Sequence, residues 1–173
     1  MRTPIAVALG DIHLDNRIWT RIHGITGDSI VGYNAFLDVA QRLKVPAIIV
    51  GDLFDVAKPT PDIIDAHRKA MDKCAASKTP VYVLQGNHDK QYMPWATATH
   101  EHPVYVGDGK IFTLGAHKAQ AFDYAAIDEI EPQIRGAEAD LLFLHQAVKQ
   151  ALGFENAWNA DLEWIPDCVK LTV

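Results

Sequence analysis

Three short apolar runs separated by two helical segments fill the first ninety residues, and no other feature restricts the fold as strongly. "IAVALG" (5–10), "AIIVG" (47–51) and "PVYVL" (80–84) have the length and continuous apolar character of strands buried on both faces. Between the first two, Tyr33, Leu37, Ala40 and Leu43 recur at helical spacing over Ser29–Lys44, with Asp28 as predicted N-cap and Pro46 just past the end. Between the second and third, "TPDIIDAHRKAMDKCAAS" opens with Thr60 as cap and Pro61 at the first helical position, where the missing proline N–H costs nothing. Its apolar face carries Ile63, Ile64, Met71 and Cys74. A β-α-β-α-β order implies an α/β class with a largely parallel sheet and right-handed crossovers. Residues 11–28 are polar, contain Gly24 and Gly27, and are predicted to be a long loop.

The second half carries weaker signals. "PVYVG" (103–107) and "KIFTLG" (110–115) are predicted to pair as a hairpin around Asp108-Gly109. A strand over Ala121–Tyr124, a short helix over 127–138, a strand over 139–145 ending in His145, weak helix over 146–154 and a last strand over 168–173 complete the expectation.

Composition bounds the rest. With 173 residues, 49% of them hydrophobic, the chain suits one domain with a substantial core. Asp and Glu number 22 against 16 Lys and Arg, so the formal charge of −6 argues against nucleic-acid binding by bulk charge. Two divalent cations would reduce that to about −2, so a nucleic-acid substrate stays open. Cys74 and Cys168 lack metal-ligand spacing and are expected to be reduced, buried thiols of a cytoplasmic protein. No apolar run reaches membrane-spanning length or resembles a signal-peptide core.

Ligand-type residues follow one predicted strand after another. Asp11 and His13 follow the first, Asp52 the second, Asn87 and His88 the third, and His145 ends a later one. Open α/β sheets bind ligands outside the carboxyl ends of their strands. These six residues are therefore expected along one edge of one sheet. Each alone has an ordinary reading: Asp11 and Asp52 as turn residues, His145 as a satisfied strand-end histidine. Four independent strand ends make the joint reading stronger. Imidazole nitrogen mixed with carboxylate and amide oxygen suits Mn²⁺, Fe²⁺ or Zn²⁺ better than Ca²⁺ or Mg²⁺. Asp52, central in the series, is the natural bridge between two ions. A neutral Asn87 ligand leaves such a site cationic and attractive to a phosphate diester, with metal-activated water as nucleophile. His88 is then the expected proton donor to the leaving oxygen, and Asp89 the carboxylate that orients it.

In order and type, Asp11-Ile-His13, Gly51-Asp52, Gly86-Asn87-His88-Asp89 and His145 resemble the calcineurin-like metallophosphoesterases. "GDIHLDNR", "GDLFD" and "PVYVLQGNHD" look most like the SbcD-type nuclease branch. The resemblance implies a two-sheet β-sandwich with helices on both outer faces. It implies that Asp11 and His13 bind a first metal, that Asp52 bridges, that Asn87 and His145 bind a second, and that His88 is catalytic. It further implies Mn²⁺, a DNA substrate, and pairing with a second copy and with an SbcC-type ATPase. Two departures stand out. The family's G-H-x-H box has no counterpart after the last strand, so residues 1–173 are expected to be a catalytic domain incomplete at its C-terminus. His100-Glu101-His102, the one H-x-H present, precedes His145 and is assigned to a surface loop. Asp55 stands where some nuclease members carry histidine and others Asp, so this departure changes little.

Three functions follow: a Mn²⁺-dependent DNA nuclease, a phosphodiesterase or phosphatase for a small molecule, and a degenerate binding subunit. The acidic charge leans toward the second. Retention of Asp52, Asn87 and His88 argues against the third. His23, His67 and His117 take structural readings. Asp15, Asn16 and Arg17 are assigned to substrate phosphate or a solvated loop, and Trp158 and Trp164 to packing.

Overall fold

The computed structural model describes residues 3–15, 28–151 and 158–173. The expected β-α-β-α-β order is present as β1 (Val7–Leu9), α1 (Asp28–Leu43), β2 (Ala47–Val50), α2 (Pro61–Ala76) and β3 (Val81–Leu84). These three strands pair in parallel, in the order β1-β2-β3. Pro61 occupies the first turn of α2 as expected, but the Thr60 side chain makes no capping hydrogen bond. Ile63, Met71 and Cys74 are buried on its inner face, while Ile64 is only half-buried.

The predicted hairpin around Asp108-Gly109 does not form. β4 (Val104–Tyr105) instead adds to the first sheet, parallel to β3, with Tyr82 opposite Val104 and Val83 opposite Tyr105. Gly109 has φ 76°, so the turn is real. It carries the chain from one sheet to the other rather than back along itself. β5 (Phe112–Leu114) pairs antiparallel with β6 (His117–Phe122) through a turn containing Gly115 at φ 60°. A turn dipeptide specifies a change of direction and leaves the choice of partners to tertiary packing. The one-turn α3 (Trp95–Ala98), α4 (Ile127–Arg135), β7 (Leu141–Leu144) and β8 (Leu171–Thr172) complete the described α-helices and strands, with β6, β7 and β8 parallel. Residues 146–151 form turns and a bridge from Val148 to Ala160, not the expected helix; 152–154 lie outside the described residues.

Side-chain alternation shows how the layers stack. In β2, Ala47 and Ile49 join the core under α1 and α2, while Ile48 and Val50 point at the other sheet. In β7, Leu141 and Phe143 point at the first sheet, while Leu142 and Leu144 pack with Ile130 and Ile134 of α4. Both strands are buried on two faces, which is why their sequences read as unbroken apolar runs. The result is an α/β two-sheet sandwich with helices on both outer faces.

His67 is a satisfied core histidine, 2.9 Å from both the Tyr33 hydroxyl and the Ala96 carbonyl. His117 is half-buried at the start of β6. Trp158 and Trp164 pack together at 6.0 Å in the α4 core. His100 and His102 bond to Asp72 and to the Thr79 carbonyl. Two expectations need correction. Cys74 is buried but Cys168 is exposed, on the segment leading into β8. Asp15 is buried rather than solvated, its backbone bonded to the Ser29 hydroxyl. Asn16, Arg17 and His23 lie outside the described residues. No described helix is long and apolar enough to cross a membrane.

Candidate metal centre

The predicted residues do converge, but not along one sheet. β1, β2 and β3 deliver Asp11, His13, Asp52, Asn87 and His88 from the first sheet, whereas β7, and hence His145, belongs to the second. The sandwich aligns the carboxyl ends of both sheets, so the site straddles them. A one-dimensional strand list cannot show that division.

Backbone bonds continue past β1 and β2 and hold their loops side by side. Asp11, His13 and Leu14 donate to the carbonyls of Gly51, Asp52 and Leu53 at 3.3, 3.0 and 2.8 Å. Three of the site residues adopt left-handed backbone: Asp11 at φ 51°, His13 at 48° and Asp52 at 48°. That conformation is strained for non-glycine residues and concentrates at functional sites. It turns successive side chains out of the strand direction and into one space.

Two glycines make that space possible. A Cβ on Gly86 would fall on the Asp52 carboxylate, and one on Gly51 would fall on the His145 imidazole. The glycines preceding Asp52 and Asn87 are thus steric requirements of the site.

Asp52 is at the centre, with 2% of its surface exposed. Its Oδ1 accepts from the His88 backbone N–H at 2.9 Å. Its Oδ2 lies 3.4 Å from His145 Nε2 and 4.0 Å from both His13 Nε2 and His88 Nε2. Burial alone would raise its pKa, but the bonds from His145 and the His88 N–H outweigh burial and hold it below the usual value. His145 shows the reciprocal balance. Burial disfavours its protonation, yet Asp52 and the Val50 carbonyl raise its pKa overall. His145 Nδ1 lies 2.8 Å from that carbonyl and can only donate to it. The backbone therefore holds a proton on Nδ1 and aims Nε2 at Asp52, the orientation that metal-binding histidines share.

Two groups of ligand atoms lie within 4.8 Å of one another: Asp11, His13 and Asp52, and His13, Asp55 and His88. Asp11 is exposed, 3.6 Å from His13 Nε2. His13 Nδ1 is buried without a hydrogen-bond partner among the described residues, although Asp55 Oδ1 is only 3.3 Å away. That separation lacks hydrogen-bond alignment; Nδ1 facing a carboxylate is the nitrogen suited to carry the proton, which would leave Nε2, turned toward Asp11 and Asp52, as the ligand atom. Asn87 lines a cavity of about 540 Å³ with Asp11, Tyr124, His145 and Gln146.

Asp89 departs from its expected role. Its carboxylate accepts from the backbone N–H groups of Gly86, Leu53 and Phe54 at 3.1, 3.3 and 3.4 Å, and so ties the β2 loop to the β3 loop. Burial is the largest influence on its pKa and leaves it raised despite these bonds. His88 is oriented instead by Asp55, whose backbone carbonyl lies 2.6 Å from His88 Nδ1. Asp55 was legible only as a departure from a family position. In the structure it touches both His13 and His88.

This architecture and the ordered ligands agree with what comparison shows. The chain belongs to the calcineurin-like phosphoesterase family, which it matches over residues 6–169. It is similar to the DNA double-strand break repair protein Mre11 of Saccharolobus solfataricus, with 22% identity over 175 residues. That similarity covers 91% of this chain and 45% of the relative, so the chain spans less than half of that protein.

Proposed function

We propose that the chain is a metal-dependent phosphodiester hydrolase, most closely a Mn²⁺-dependent DNA nuclease of the SbcD type working in the cytoplasm. The observation that carries it is the convergence of three imidazole Nε2 atoms on the buried Asp52 Oδ2, at 3.4 to 4.0 Å. The donor set fits a pair of borderline divalent ions. Asp11 and His13 would hold one, Asn87 and His145 the other, and Asp52 would bridge. Bound ions supply charge neutralisation at the phosphate and activation of the attacking water.

The protein's own groups do the rest. The Val50 carbonyl keeps a proton on His145 Nδ1 and turns Nε2, the atom that would exchange its proton for a metal, toward Asp52. The Asp55 carbonyl likewise keeps a proton on Nδ1 of His88, whose Nε2 then faces the site and, when protonated, can donate to the departing oxygen. Asp89 acts through the two loops it clamps and is a positioning residue. With Asp11, Asp52 and Asp55 as the near carboxylates, two ions leave a net positive site that favours a diester anion.

A small-molecule diester is the second reading, supported by the charge of −6. Assays with Mn²⁺ on a DNA strand and on bis(p-nitrophenyl) phosphate separate the two. The nuclease reading expects cleavage of both. Cleavage of the aryl diester alone supports the second, and cleavage of neither contradicts both.

A further inference from the structure

Tyr92 is 61% exposed, the most exposed aromatic side chain among the described residues. It is not loose. Its ring stacks on Trp95 with centroids 6.0 Å apart and planes 26° apart. Trp95 is itself anchored, its indole N–H donating to the Ala57 carbonyl at 2.8 Å. The Lys58 ammonium sits 4.9 Å from the Tyr92 ring centroid. Trp95 is half-buried and packs against the core beneath α1 and α2, whereas the Tyr92 ring stands on its outer side and adds nothing to that core.

Its position relative to the metal centre is set by chain connectivity. Tyr92 follows His88 by four residues, across the 3₁₀ turn Asp89–Gln91. At a rise of ~2 Å per residue that is about 8 Å of backbone. Lys58 follows Asp55 by three residues, and Asp55 holds the His88 imidazole. Asp89 and the Trp95–Ala57 bond tie the two loops together. The platform and the candidate acid therefore sit on the same pair of bonded loops.

We infer that Tyr92, backed by Trp95 and flanked by Lys58, is a stacking platform for an unpaired nucleobase of the nucleotide next to the scissile phosphate. This rests on the nuclease reading and narrows it to substrates with a frayed or single-stranded end. An exposed cation–π contact is weaker than base–aromatic stacking, so a base displaces Lys58 from the ring. The freed ammonium then lies beside the strand's phosphates. Stacking tolerates any base, so the platform would bind a strand end without reading its sequence.

The test is equilibrium binding in Mn²⁺ of two phosphorothioate octamers of equal charge, one oligothymidylate and one abasic throughout. The wild type should bind the base-bearing strand about tenfold more tightly. Tyr92→Leu should bring that ratio close to one, and Tyr92→Phe should restore it. An unchanged ratio in Tyr92→Leu overturns the platform. So does a wild type that prefers neither strand or binds neither. Cleavage of an ordinary phosphodiester DNA strand by the wild type and by Tyr92→Leu then reports separately whether the nuclease reading survives: cleavage with an unchanged binding ratio overturns the platform alone, and no cleavage overturns the reading beneath it.

Discussion

His145 Nε2 lies 3.4 Å from Asp52 Oδ2, although the two residues come from different sheets and are joined by no common loop. The contact fastens the two halves of the sandwich at its functional edge. Replacing Asp52 with alanine should therefore affect metal and catalysis together. Hydrolysis should fall by at least about a hundredfold and Mn²⁺ affinity should drop with it. Parallel activity and metal-uptake measurements check this. Loss of activity with full metal uptake would remove Asp52 from the bridging position.

His88 should behave differently. It is half-buried, held through Nδ1, and 4.0 Å from Asp52. His88→Ala should lower turnover by about 10²–10⁴-fold while the metal content stays at the wild-type level. Near-normal turnover would refute its role as proton donor.

Gly86→Ala tests the steric argument. The new Cβ would stand 2.5 Å from the Asp52 backbone nitrogen and collide with its carboxylate. Backbone cannot yield as a side-chain end can, so a cost of about 1–3 kcal/mol in urea unfolding is expected. Metal uptake should fall as well. An unperturbed variant would mean that the two loops are not held as described.

Asp89→Ala should strand three backbone N–H groups and cost at least about 2 kcal/mol of stability. Residual turnover should retain the wild-type dependence on pH, because Asp55 and not Asp89 holds His88. A displaced pH limb in Asp89→Asn would restore Asp89 as the orienting carboxylate.

His67 sets an acid limit on folding. Burial pushes its pKa down to about 4, against an ordinary value near 6.5. The unfolded chain therefore binds the proton first as pH falls. Stability is complete above about 6.5 and is lost progressively toward pH 4, by up to about 3 kcal/mol from this group. Urea unfolding of wild type and His67→Gln at pH 7.5 and 4.5 should show a smaller loss in the variant. Equal losses would contradict the assignment.

Much of this was legible because short-range signals carried it. The runs of β1, β2, β3 and β7 are apolar on both faces, and each is followed by ligand-type residues at its carboxyl end. Asp11, His13, Asp52, Asn87, His88 and His145 could be named from that alone. What could not be read depended on contacts between distant segments. The Asp108-Gly109 turn marked a change of direction without naming the partner of β4. His145 was placed beside its companions, but its membership of the second sheet was invisible. The role expected of Asp89 falls to Asp55 because a backbone carbonyl, which no residue type announces, orients His88. The left-handed backbone at Asp11, His13 and Asp52 is likewise carried by tertiary bonding and has no local sequence signal beyond the mild tolerance of Asp and His for it.

The central claim is that these residues form a metal centre, and Mn²⁺ bound per chain measures it most directly. Elemental analysis after dialysis should give close to two ions for the wild type and at most one for Asp52→Ala. A wild-type protein that retains no Mn²⁺, Fe²⁺ or Zn²⁺ and shows no saturable uptake would contradict the account.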